Sequence, residues 1–119
     1  MAAIDYRLAK RAVLRAVGVG MLSKIDVCDA HPDLLRAARH IGEAAEDACP
    51  ICDSSELRLV LYAYGRDLKA GNGYARRAAE LRELAARPNE VSCYVVEVCM
   101  DCNWNHLVRS FSTGRRAAG

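Results

Sequence analysis

Two pairs of cysteines are the residues of this sequence best suited to chemistry. Cys49 and Cys52 form the first pair, and Cys99 and Cys102 form the second. Two residues between sulfurs let one tight turn direct both thiolates at a single ion, and two such turns complete a tetrahedral shell of four sulfurs. The pattern predicts one structural Zn²⁺, because a shell closed by four thiolates leaves no coordination position for a substrate.

The residue that follows each pair supports the same interpretation. Asp53 comes directly after Cys52, and Asn103 comes directly after Cys102. In a zinc knuckle this position tends to need a positive φ, which Asp and Asn tolerate better than most residues other than Gly. The alternative is a redox-active dithiol, but that motif normally occurs once, at a strand-to-helix junction.

The remaining cysteines are expected to stay outside the metal shell. Cys28 and His31 have the spacing of a metal-ligand pair and are the alternative ligands. We favour an interpretation in which Cys28 packs as a small hydrophobic residue and His31 lies beside the turn at Pro32. Cys93 lies within a predicted strand and is expected in the core.

No set of residues in the sequence indicates catalysis. A Ser/His/Asp or paired-carboxylate arrangement cannot be assembled, and two glycine-containing segments lack the strand-then-helix order of a phosphate loop. The sequence therefore predicts a protein that is not an enzyme and has no small-molecule substrate. The two segments are Gly18-Val19-Gly20 and Gly71-Asn72-Gly73.

A helical module is expected to precede the cysteine pairs, over residues 1–45. Apolar periodicity predicts a first helix over Ile4–Val17. A capping box that begins at Ser23 predicts a short second helix. The third helix is predicted to start at Pro32 and to stop at Gly42.

A three-stranded antiparallel zinc ribbon is predicted to follow, which makes the fold class α+β. Its strands are expected at Glu56–Tyr64, Val91–Val98 and Asn105–Phe111, from their apolar alternation and β-branched residues. The 46 residues between Cys52 and Cys99 exceed what a minimal ribbon needs, and the excess predicts an inserted helix. The expected organisation is a helical module over 1–45, a zinc ribbon over 46–112 with an inserted helix over 74–87, and a flexible basic tail over 113–119.

Charge is unevenly distributed along a chain whose formal net charge is only +2. Residues 1–24 contain five basic residues and one acid, whereas residues 25–56 contain eight acids and two arginines. Such a bipolar surface suits docking on a protein better than coating a polyanion. The absence of a signal peptide or a transmembrane-length apolar run predicts a cytoplasmic protein with no membrane contact.

The predicted docking surface combines the basic first helix with the ribbon near the second cysteine pair. Trp104 is either an exposed aromatic contact for a partner or a cover over the metal site, and the sequence leaves both open. Complementary charges and an aromatic or arginine anchor are the expected source of orientation and affinity. The predicted partner-binding residues are Arg7, Arg11, Arg15, Trp104 and Arg109.

The chain resembles a small actinobacterial zinc-ribbon-like protein family known only as a domain of unknown function. The segments that carry the resemblance are Cys49–Cys52, Val95–Phe111 and, near the N-terminus, Val27–Ala38. The similarity spans roughly residues 5 to 112 and is most specific around the second cysteine pair. It implies a cytoplasmic bacterial protein, and it implies no activity and no binding residues.

The expected function is that of a zinc-stabilised accessory or adaptor protein that docks on bacterial RNA polymerase. Zinc ribbons recur in the transcription machinery, so this expectation is an analogy at the level of the fold. The alternative is a ribosome- or RNA-binding protein, with Arg109, Arg115 and Arg116 on phosphates and Trp104 or Tyr94 stacking on bases. The low net charge counts against that alternative.

Overall fold

Three long antiparallel strands form the centre of the molecule, which a computed structural model describes over residues 3–117. Over this range the sheet has six strands, in the order β1-β6-β5-β3-β2, and β4 also pairs with β3. The strands are β1 (Ala3–Asp5), β2 (Glu43–Ala44), β3 (Leu57–Gly65), β4 (Ala75–Arg76), β5 (Val91–Cys99) and β6 (Asn105–Thr113). The helices are α1 (Arg7–Gly18), α2 (Lys24–Val27), α3 (Pro32–Ile41) and α4 (Leu81–Ala85).

The predicted α+β class is confirmed, and the sheet is larger than the predicted three strands. The additional strand β1 includes the predicted start of the first helix, and β2 directly follows the predicted end of the third helix at Gly42. Ile4 pairs with Ser110 at one edge of the sheet, so the first helix begins at Arg7 rather than at Ile4. Tyr6 is the N-cap residue, and the Asp5 carboxylate before it accepts a hydrogen bond from the backbone N–H of Arg7, the first helical residue.

The predicted helix over residues 74–87 is wrong for most of its length. Ala75 and Arg76 pair with Tyr62 and Leu61 of β3, so their backbone groups belong to the sheet. A 3₁₀ turn at Ala78–Glu80 follows, and only α4 is α-helical. The local helical periodicity is overridden because the segment gains backbone hydrogen bonds by lying against β3.

Opposite faces of the sheet bury different clusters. On one face, alternate residues of β3 and β5 pack with Leu68 and Leu84, which come from the segment between those strands. On the other face, α3 places Ala38 against Val60 and Val98. The first cluster also contains Leu61, Ala63, Val91, Cys93 and Val95.

The N-terminal helices pack against the end of the sheet where the cysteine pairs lie. Val27 of α2 belongs to one buried cluster with Leu57 and Trp104, and half-buried Val13 and Leu14 of α1 pack against it. The capping box predicted at Ser23 is present and opens α2. Helices and cysteine turns therefore share a core, which makes the packing of α1 and α2 dependent on the turns.

The molecule is elongated, with principal extents of 46 × 29 × 23 Å and a radius of gyration of 15.2 Å. A compact domain of this length has a radius of gyration of about 13.5 Å. The described residues contain no helix that is both long and apolar enough to cross a membrane.

Of the predicted tail, Thr113 lies in β6 and the Arg115 N–H donates to the carbonyl of Arg87. Residues 118 and 119 lie outside the described range.

Candidate metal centre

The pairing of β3 with β5 brings the two cysteine pairs together. Leu57, five residues after Cys52, is paired with Cys99 at the end of β5. All four Sγ atoms lie within 4.8 Å of one another, and Cys49 to Cys102 and Cys52 to Cys99 are each 3.6 Å apart. A tetrahedron with metal–sulfur bonds of about 2.3 Å has edges of about 3.8 Å. The four thiols therefore fit a metal ion and could hold one.

The two cysteine turns have the same backbone conformation. Asp53 has a φ of 62° and Asn103 a φ of 70°, as the sequence predicted for both positions. In each turn the N–H of that residue donates to the carbonyl of the first cysteine, at 2.9 and 3.0 Å. The N–H of the first cysteine donates to the carbonyl five residues later, at 2.9 and 2.8 Å. Equal turns present their sulfurs as two equivalent halves of one shell.

The four thiols differ in their surroundings. Cys49 and Cys99 are buried, Cys102 is half-buried and Cys52 is exposed. Burial raises the pKa of Cys49 and that of Cys102, whereas the backbone N–H of Ser54 lowers the pKa of Cys52. A bound dication favours the thiolate form and displaces the protons, so metal affinity at this site should fall as the pH falls.

Trp104 is fully buried, so the prediction that it forms an exposed partner contact is wrong. It packs in the cluster that contains Cys49 and Cys99, at the end of the sheet where the four thiols lie. We call this end of the sheet the metal end. Its indole Nε1–H donates to the Glu97 carboxylate at 2.7 Å. The ring of His106 stacks on it, with centroids 5.8 Å apart. A tryptophan with its N–H satisfied inside the core supports structure and offers no aromatic face to a partner.

A buried carboxylate that sequence reasoning missed links the metal end to α1. Glu97 is 5% exposed, and its second oxygen accepts from the Lys10 ammonium at 2.8 Å. Trp104 and Lys10 thus share one acceptor group, so both carboxylate oxygens are hydrogen-bonded. One feature of the sequence could have indicated it: Glu97 is an acid on the face of β5 that otherwise carries apolar residues.

The structure shows where the two alternative metal ligands, Cys28 and His31, and the remaining cysteine, Cys93, lie. Cys28 lies against the centre, with its Sγ 3.8 Å from that of Cys102, although it is outside the set of four. His31 is turned away, since its Nδ1 accepts from the backbone N–H of Asp33 as the N-cap of α3. Cys93 is fully buried in the other end of the sheet, which confirms its expected place in the core.

Four of the predicted partner-binding residues are exposed. Arg7, Arg11 and Arg15 lie on α1, and Arg109 lies on β6. The Arg7 guanidinium is 2.9 Å from the carboxylate of Asp5, and Asp5 is paired with Arg109 in the sheet. The edge strand β1 therefore brings the start of α1 next to Arg109.

An exposed aromatic surface lies on the sheet face that carries α3. Tyr62 of β3 is paired with Tyr94 of β5, and Tyr64 contacts Tyr94 edge to face with centroids 5.6 Å apart. Tyr64 and Tyr94 are 45% and 36% exposed. Burial raises the pKa of Tyr62, with smaller contributions from Tyr64 and Asp33. We call this surface the tyrosine face; its members are Tyr62, Tyr64, Tyr94, Val96 and Leu107.

The tyrosine face was absent from the predicted docking surface, although strand alternation already placed Tyr62 and Tyr64 on one side of β3. What the sequence lacked was the register between strands, which sets Tyr94 beside them. The sequence also did not predict that α3 covers only part of this side of the sheet, around Val60 and Val98, and leaves Tyr64 and Tyr94 exposed.

Comparisons with known proteins identify relatives but no activity. The model of a family described as a family of unknown function (DUF5318) matches residues 1–119. Uncharacterized protein Rv0049 of Mycobacterium tuberculosis is 46% identical over 111 residues, which cover 93% of this chain and 81% of that protein. Uncharacterized protein Mb0050 of Mycobacterium bovis has the same identity and coverage. No solved structure matches this chain significantly. The resemblance to an actinobacterial family of unknown function is confirmed.

Proposed function

We propose that this chain, which belongs to the DUF5318 family of unknown function, is a zinc-stabilised adaptor that docks on another macromolecule. The observation that carries the proposal is the set of four thiols at the spacing of a closed tetrahedral shell. A shell of that kind has no open position for a substrate, so its contribution is to hold a surface in shape.

Zinc is the metal that the donor set favours. Four thiolates in tetrahedral geometry suit Zn²⁺ or iron, and paired Cys-x-x-Cys turns that end antiparallel strands suit a structural zinc. Elemental analysis of protein purified without chelator should find one zinc per chain. An absorption spectrum without visible bands should accompany it, because thiolate-bound iron is coloured and zinc is not. Iron at one or more equivalents would contradict the assignment.

The partner that we propose is a protein, with RNA polymerase as the expected one. Tyrosine is enriched at the centre of protein interfaces, and the tyrosine face offers three tyrosines and two aliphatic residues without a charged member. Exposed arginines on α1 supply charge that orients an approaching partner. The choice of polymerase rests on the use of zinc ribbons in transcription assemblies.

Binding of the zinc-loaded chain to purified mycobacterial RNA polymerase tests this proposal. We expect saturable binding that Tyr94→Ala weakens at least several-fold and that Arg11→Glu slows in association. Arg82→Glu, an exposed arginine on α4, is the matched control for the charge change and should bind as the unmodified chain does. Zinc content is measured for each variant, so that a lost metal is not mistaken for a lost contact.

RNA is the second candidate partner, and the tyrosine face is also the observation that favours it. Aromatic side chains on neighbouring strands can stack on unpaired bases, with Tyr62 and Tyr94 side by side. Titration of ribosomes and of single-stranded RNA over a salt series separates the two candidates. Binding to naked RNA that weakens steeply with salt, without affinity for polymerase, would favour the RNA function and contradict the protein one.

A further inference from the structure

A fifth thiol touches the metal centre from outside. The Sγ of Cys28 is 3.8 Å from the Sγ of Cys102, close to the 3.6 Å between Cys102 and Cys49. Cys28 is nevertheless not one of the four sulfurs that lie within 4.8 Å of one another. It therefore contacts one corner of the tetrahedron and cannot complete the shell together with the other three corners.

Hydrogen bonds from the flanking residues hold Cys28 in this place. The backbone N–H of Cys28 donates to the carbonyl of Lys24 at 2.8 Å, at the end of α2. Two residues later, the N–H of Ala30 donates to the carbonyl of Asn103 at 3.0 Å. The Asp29 carboxylate accepts from the Asn105 amide at 2.9 Å. The segment is thus attached directly to the second cysteine turn, which fixes the contact between Cys28 and Cys102.

Both sulfurs of this contact are within reach of a small solute. Cys28 and Cys102 are half-buried and Cys52 is exposed, whereas Cys49 and Cys99 are buried; of the accessible ligands, Cys102 is the one in contact with Cys28. When Cys49, Cys52, Cys99 and Cys102 hold a metal ion, the thiol of Cys28 stays uncoordinated. Its sulfur lies outside the set of four, so it can attack an oxidised neighbouring ligand while the other three thiolates stay in the shell.

We propose that Cys28 is the resolving thiol of a peroxide-sensitive switch that joins it to Cys102 in a disulfide and so removes one ligand from the metal centre. The proposal rests on the metal centre proposed above. With three thiolates left in the shell, the metal is held more weakly and leaves to competing chelators. Because α1 and α2 pack against the same cluster, metal loss loosens their attachment to the sheet.

The chemistry takes two steps and needs only hydrogen peroxide as the oxidant. The Cys102 thiolate attacks one peroxide oxygen, the O–O bond breaks, and a sulfenic acid and hydroxide form. The Cys28 sulfur then attacks the sulfenic sulfur, expels its hydroxyl group and gives up its own proton. In sum, one thiolate, one thiol and one hydrogen peroxide give one disulfide, one water and one hydroxide. The two sulfurs lose two electrons and the peroxide gains them.

The test treats zinc-loaded, full-length protein with hydrogen peroxide. A chromogenic chelator follows zinc release, and peptide mapping under non-reducing conditions identifies the disulfides. We expect a Cys28–Cys102 disulfide as the first product, released zinc, and recovery of both after addition of a dithiol reductant and zinc. Zinc release should be several-fold slower in Cys28→Ala and in the closer isostere Cys28→Ser. Cys93→Ala, which alters a cysteine outside the centre, should release zinc at the unmodified rate.

Two results would overturn the proposal. One is zinc release from both Cys28 variants at the unmodified rate. The other is a first disulfide that joins two ligands, as Cys52 with Cys99 or Cys49 with Cys102. Zinc content and circular dichroism are measured before peroxide is added, so absence of zinc at the start counts against the metal centre and not against the switch.

Discussion

At the scale of single residues, the same residue type has opposite roles along one strand. Cys93 and Cys99 are both fully buried on the same face of β5, six positions apart. Cys99 faces three other thiols, whereas Cys93 faces Ala63 and the apolar cluster around it. Burial alone therefore does not identify a ligand; what identifies it is the number of sulfurs within reach.

This pair gives a matched prediction. Cys99→Ala should abolish zinc binding and the cooperative melting of the cysteine turns, because an incomplete shell loses binding energy that is also folding energy. Cys93→Ala should keep one zinc per chain and cost about 1–2 kcal/mol in the free energy of unfolding, as an ordinary core truncation. Elemental analysis and thermal denaturation measure both. Retention of stoichiometric zinc by Cys99→Ala would remove Cys99 from the ligand set.

At the scale of elements, the cysteine turns depend on a left-handed residue at a fixed position. Asn103 has a φ of 70°, in a region that Gly adopts freely and that β-branched residues resist. Asn103→Val should therefore cost about 1–2 kcal/mol and weaken zinc binding, whereas Asn103→Gly should be nearly neutral. A competition titration with a chelator of known affinity measures the difference. Equal affinities for the two variants would show that the φ of this residue does not control the site.

The attachment of α1 to the sheet is a second property of elements. The Lys10 side chain is 27% exposed and the Glu97 side chain is 6% exposed, so Glu97 has lost far more of its hydration. Lys10→Met should cost about 1–3 kcal/mol in unfolding free energy, because it leaves Glu97 with Trp104 as its remaining side-chain donor. Lys24→Met, on the exposed side of α2, is the control and should change stability little. Urea denaturation of the zinc-loaded proteins distinguishes them.

At the scale of the whole molecule, two of the three buried clusters occupy opposite ends of an elongated sheet. The metal end contains Leu57 and Trp104 together with α1 and α2, and the distal end is built around Ala63 and Leu84. The register of β3 and β5 sets Cys99 opposite Leu57 at one end and Val91 opposite Gly65 at the other. Removal of the metal should consequently destabilise the metal end before the distal end.

Chelation should raise hydrogen exchange in α1, α2 and the cysteine turns well before it does so around Cys93. Acid should have the same effect: zinc competes with protons for the thiols, and burial raises the pKa of Cys49 and Cys102. Metal-dependent stability is therefore retained near neutral pH and lost as the pH falls. Hydrogen exchange followed by mass spectrometry measures both. Uniform exchange over the two ends after chelation would contradict the division into two cores.

Features that depend on near neighbours along the chain could be predicted from the sequence. The Cys-x-x-Cys spacing and the residues Asp53 and Asn103 specify the two turns, because a turn is a property of four or five consecutive residues. Apolar alternation located the three long strands to within two residues at each end. The capping box at Ser23 and the proline at position 32 located two helix starts for the same local reason.

Features that depend on partners distant along the chain could be seen only in the folded structure. Ile4 became a strand residue because its pairing partner Ser110 lies more than a hundred positions away, and three residues carry no periodicity of their own. Ala75 left its predicted helix for the same kind of reason, through pairing with Tyr62. The burial of Trp104 and the contact of Cys28 with Cys102 follow from how α1 and α2 pack on the sheet. Such packing depends on all the elements at once, so no local pattern in the sequence encodes it.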